Sequence, residues 1–61
     1  MSFGTKLKKA RERKGMTRVS LARAVGVSVY TVYLWENDVM TPKPEHLESI
    51  MRVLEEEEDE R

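Results

Sequence analysis

Eight of the first 23 residues are cationic: Lys6, Lys8, Lys9, Arg11, Arg13, Lys14, Arg18 and Arg23. Against them stands Glu12 alone, so this stretch carries a net charge of +7. Residues 24–61 reverse the sign, with three cations and ten carboxylates, and the 61-residue chain sums to zero. The chemistry encoded by such a split is Coulombic: the basic third suits a polyanion, and the acidic end repels one. The competing explanation is a solvated surface followed by an acidic tail. Bond-making chemistry has no support. There is no cysteine and a single histidine, His46, so disulfides, thiolate sites and a zinc site are excluded. No nucleophile–base pair and no glycine-rich phosphate loop is present. An enzyme is not expected, nor a cofactor or metal.

The second group of residues able to do chemistry lies in "GVSVYTVYLWEN", Gly26 to Asn37. Its Val, Tyr, Thr and Trp are types enriched in strands. As a strand it would alternate Val29, Thr31, Tyr33 and Trp35 against Tyr30, Val32 and Leu34, and no second strand exists to pair with its backbone. As a helix it is capped by Ser28 and turns Val32 and Trp35 inward. The helix is the consistent reading. It leaves Val29, Tyr30, Tyr33 and Leu34 facing outward.

The elements that must position these residues follow from periodicity and stop signals. Phe3, Leu7 and Ala10 form one helical stripe, and Gly15 ends that helix after residues 3–14. Thr17 caps a short second helix over 18–25, terminated by Gly26. A third helix starts after Ser28. "NDVMTPK" is a loop, and Pro44 opens a fourth helix over 44–54 with the stripe Leu47, Ile50, Met51 and Leu54. The run "EEEEDER" opposes the helix dipole, so fraying is expected from about Glu56. No segment nears the roughly 20 apolar residues of a membrane span. The N-terminus shows no signal-peptide core. A cytoplasmic protein without membrane association is expected.

Within "RVSLARAVGVSVYTVYLWEN", small Ala22 is followed four residues later by Gly26, then by Val32 and Trp35. Ala22 permits close approach of a second helix, and Gly26 makes a sharp turn between them. Together with "LKKARERKGMT" and "PEHLESIMRVL", this pattern resembles the Cro/lambda-repressor-like, XRE-type helix-turn-helix family over about residues 3–54. The resemblance implies an all-α, compact four-helix domain over 1–54. It would lack the family's usual fifth helix and carry an acidic tail over 55–61. It also implies a small DNA-binding transcriptional regulator, with repression the expected role. Val29–Glu36 would enter the major groove. Arg11 and Glu36 match a pair that bridges helices one and three, and the arginine can also face a phosphate. Thr17 and Arg18 match the helix-two start that holds a backbone phosphate.

The chain departs from that family at several positions. Arg18 stands where glutamine is usual, and the loop after helix three keeps only Lys43 as a cation. Val29, Tyr30, Tyr33 and Leu34 occupy places where relatives commonly carry forked polar groups, the groups needed for bidentate readout of G or A. Three explanations of this patch stand open. It contacts bases through apolar groups and tyrosines, or it binds a protein, or it is a surface without function. In the first, double-stranded DNA is the partner. Val29, Tyr30, Tyr33 and Leu34 then meet bases, and Arg11, Thr17, Arg18, Arg23 and Lys43 meet phosphates. Two copies would read a pseudo-palindrome as a homodimer. In the second, the same fold serves as an antitoxin, adaptor or inhibitor with a protein partner. Trp35 is expected in the core and His46 on the surface.

Overall fold

The computed structural model describes residues 1–55, and there the chain forms four helices and no strand: α1 (Phe3–Arg13), α2 (Arg18–Val25), α3 (Val29–Glu36) and α4 (Pro44–Glu55). The expected tail from Glu56 onward lies outside the described residues.

Local chemistry sets each boundary. The Ser2 hydroxyl accepts the Thr5 amide at 3.1 Å and opens α1. At the other end Gly15 takes a left-handed φ of 69°. The Gly15 and Met16 amides donate back to the Glu12 and Arg11 carbonyls at 2.9 and 3.1 Å, which satisfies two carbonyls at the helix end. A reciprocal capping box starts α2: the Ser20 amide donates to the Thr17 hydroxyl, and the Thr17 amide donates to Ser20 Oγ. Gly26, at φ 91°, turns the chain. Two residues later the Ser28 hydroxyl accepts the Thr31 amide at 3.1 Å and starts α3. The strand-like residues are therefore held as a helix by caps at its start and by packing along its length. Tertiary context overrides their propensity.

The same closing motif recurs after α3 with a different residue. The Asp38 and Val39 amides donate to the Trp35 and Leu34 carbonyls at 3.1 and 2.9 Å. Asp38 occupies the left-handed position at φ 61° that glycine fills after α1. Its side chain gives the aspartate a second role, because Oδ1 accepts the Gly4 amide at 3.0 Å. The end of α3 thus caps the start of α1.

The core gathers Leu7, Leu21, Ala22, Val32, Trp35, Ile50 and Leu54, with Ala10, Met16, Val25, Val27 and Val53 packed against it. Leu21, Val32 and Trp35 are essentially without solvent contact. They lie on the second and third helices, so the pair that makes the turn also anchors the core.

Two expected stripes differ from the observed packing. On α1 the inward positions are Gly4, Leu7 and Arg11, whereas Phe3 remains 37% exposed. Gly4 sits so close to α3 that a Cβ there would lie 2.4 Å from the Glu36 carbonyl oxygen. On α4, Ile50 and Leu54 are buried, but Leu47 and Met51 stay exposed at 36% and 48%. With Phe3 they rim an apolar groove of about 450 Å³ between α1 and α4. His46, expected on the surface, is half-buried with its ring centroid 5.8 Å from that of Trp35. It covers one side of the indole.

Candidate nucleic-acid interface

The outer face of α3 is presented by a buried electrostatic anchor on its inner face. Glu36 ends the helix with its side chain only 1% exposed. Arg11 Nε donates to Glu36 Oε2 at 2.6 Å and Nη2 donates to Oε1 at 3.3 Å, a bidentate fork. Arg11 Nη1 donates to the Met16 carbonyl at 2.9 Å, so the same guanidinium also holds the turn after α1. From α2, Arg18 Nε reaches Glu36 Oε1 at 2.9 Å. One carboxylate therefore ties three helices.

Burial pushes the Glu36 carboxyl up, but the hydrogen bonds from Arg11 and Arg18 and their positive charges outweigh it. The result lies below the ordinary value of 4.5. Arg11 moves the other way. Its hydrogen bond to Glu36 raises it, against desolvation, so the guanidinium stays charged although its side chain is 8% exposed.

The structure brings together most of the residues singled out from sequence. Val29, Tyr30 and Tyr33 are 43%, 64% and 46% exposed on the outer face of α3. The two tyrosine rings stack, with centroids 6.3 Å apart and planes 19° from parallel. The Arg18 guanidinium lies 5.6 Å from the Tyr33 ring centroid, within cation–π range. Leu34 departs from the expected outward group, because it is half-buried. The turn after α3 folds back here, and the Val39 and Met40 amides both donate to the Leu34 carbonyl.

Among the cations, Arg11 is spent internally on Glu36 and Met16. Arg18 is partly so, with its side chain 37% exposed. Thr17, Arg23 and Lys43 are exposed. Lys8 and Lys9, counted in the basic third but given no site role from sequence, stand on the wall of a polar cleft of about 360 Å³ that also includes Arg18, Glu36 and Asn37. Lys8 lies four residues after Gly4 and three before Arg11, the two positions that α1 turns toward α3, which sets it beside the anchor.

A helix-turn-helix family model matches residues 7–61. The chain belongs to the XRE-type, Cro/lambda-repressor-like helix-turn-helix family. No curated protein and no solved structure matches it. The family is one of DNA-binding regulators, and this helix-turn-helix chain has the corresponding frame: a capped α2, the Gly26 turn, and α3 held by its C-terminal carboxylate. Among the described residues, no helix is long and apolar enough to cross a membrane, and no cluster of three His, Asp or Glu side chains forms.

Proposed function

We propose that this chain is a non-enzymatic transcriptional repressor that places α3 in the DNA major groove. The observation that carries this reading is the contrast across α3. Val32, Trp35 and Glu36 fix its inner face, while Val29, Tyr30 and Tyr33 are exposed together on the other side. A helix fixed in this way can meet base edges without first being ordered. The N-terminus of α2, beginning after Thr17, holds a backbone phosphate on its amides. Arg18, Arg23, Lys43, Lys8 and Lys9 supply positive charge around the same duplex. Arg11 serves as the strut beneath α3.

Repression by occupancy of a promoter site, in the cytoplasm, is the role and location that belong to this proposal. Two copies on one duplex would read half-sites about one helical turn apart. The apolar groove rimmed by Phe3, Leu47 and Met51 gives them a surface on which to pair.

The test is a fluorescence titration of the full chain against a random duplex pool at increasing salt. Binding should weaken steeply with salt, with a slope near −0.9 per phosphate contact. A chain that binds no duplex even at low salt would turn the same face into a protein-binding surface.

A further inference from the structure

The outer face of α3 carries aliphatic and aromatic groups, and its two tyrosines form a fixed unit rather than two free side chains. Tyr33 touches both Tyr30 and Arg18. Arg18 is itself held by Glu36, and Glu36 by Arg11. The support runs unbroken from the buried ion pair to the exposed rings. None of Val29, Tyr30 and Tyr33 has the forked donor–acceptor group that pairs with G or A, and a phenol offers a single hydroxyl. In the major groove the apolar feature on a base edge is the C5-methyl group of thymine. The ring spacing of 6.3 Å is close to two base-pair rises of about 3.4 Å each, the separation of pairs two steps apart, so the rings suit two different pairs rather than one.

We propose that Val29, Tyr30 and Tyr33 read the C5-methyl groups of thymines within a short run of A·T pairs, the two tyrosines meeting pairs two steps apart, with Arg18 as the positioning residue that fixes the Tyr33 ring. The inference rests on the DNA-binding reading and specifies what that same face selects. The occupant is a duplex because Arg18 lies against the patch at Tyr33 and shares a cleft with Lys8 and Lys9, and the chain belongs to a DNA-binding family.

The experiment takes a duplex recovered with the full chain from a random pool and resynthesises it with deoxyuridine in place of thymidine, one position at a time. Uracil keeps the hydrogen-bonding edge and lacks only the methyl. At two or three clustered positions per half-site, affinity falls about fourfold for each methyl removed. Tyr33→Ala brings the thymine-to-uracil ratio at one of these positions close to one, whereas Tyr33→Phe keeps it. Arg18→Lys retains the charge and hence the salt slope, but lowers the ratio at the position Tyr33 reads.

Intact binding with a ratio near one at every position overturns methyl readout and leaves the DNA-binding reading standing. A ratio that survives unchanged in Val29→Ala, Tyr30→Ala and Tyr33→Ala alike shows that the methyl acts through the duplex itself, and overturns the assignment to this face. Absence of any salt-sensitive duplex binding removes the DNA-binding reading, and the inference with it.

Discussion

The two faces of α3 are built from similar residue types and do opposite work. Inside, Val32 and Trp35 are buried beside a carboxylate that accepts from two arginines. Outside, Val29 and the tyrosines are similarly apolar but meet solvent. Hydrophobicity does not separate them, and what does is the partner. The inner face is complementary to α1, α2 and α4, whereas on the outer face Val29 and Tyr30 stay exposed and Tyr33 meets the edge of α2 through Arg18. The comparison teaches that a β-rich helix of eight residues can be both core and contact surface if one buried charge fixes its rotation.

The sharpest way to break this contrast is to change the inner charge. Glu36→Gln removes the buried counter-ion of Arg11 and leaves it only the exposed Glu12 carboxylate at 4.0 Å, a change that costs about 3–5 kcal/mol. That approaches the whole stability of a domain this size. Urea denaturation followed by circular dichroism should show a chain largely unfolded at 25 °C. The same pair sets an acid limit. Because folding lowers the Glu36 pKa, the folded state binds fewer protons than the unfolded state as the carboxyl titrates. Its stabilisation is complete above the unfolded value near 4.5 and is lost as pH falls through the lower folded value. Thermal midpoints measured from pH 7 down to pH 2 should drop through that window. A flat profile would remove the ion pair from the account of stability.

Next in size is Gly4→Ala. The added Cβ would meet the backbone of Trp35 and Glu36 at 2.4–2.7 Å, and backbone cannot swing aside. Alanine's better helix propensity returns up to about 1 kcal/mol, and the forced separation of α1 from α3 costs more, so a net loss of about 1–3 kcal/mol is expected in urea melts. A smaller loss, about 1–2 kcal/mol, is expected for Asp38→Ala, which removes the cap on Gly4 and keeps an unfavourable left-handed residue. Asp38→Gly should recover part of it, by relieving the backbone alone.

The smallest stability effect belongs to the outer face. Tyr30→Ala should stay within about 0.5 kcal/mol of the parent, while its selected DNA sequences shift. A large change in melting with no change in preference would invert the assignment of the two faces.

Much of this was legible in the residues. Ser28 and Asn37 bracket α3 at its observed limits, and Ala22 and Gly26 placed the turn, because caps and glycine turns act locally. The resemblance directed attention to Arg11 and Glu36 as a pair, which the structure brings to 2.6 Å. On α1 hydrophobic periodicity found Leu7 and Ala10, which lie in or against the core, and misplaced only Phe3. The face that packs there uses Gly4, which has no side chain, and Arg11, which is charged. A count of apolar residues registers neither backbone-to-backbone approach nor an ion pair. The extra exposure of Leu47 and Met51 has the same origin, since periodicity shows that a face is apolar without showing what covers it. The second role of Asp38 had no local signal, because its partner is 34 residues away.

That aspartate has a kinetic consequence. Ser2 caps the start of the first helix locally, but the second cap, from Asp38, comes only when the turn after the third helix has formed and brought its carboxylate back across the intervening chain. Closing a loop of this length is slow relative to helix growth. The first turn of the first helix is therefore among the later segments to be fully secured, although it precedes the other three helices in the chain.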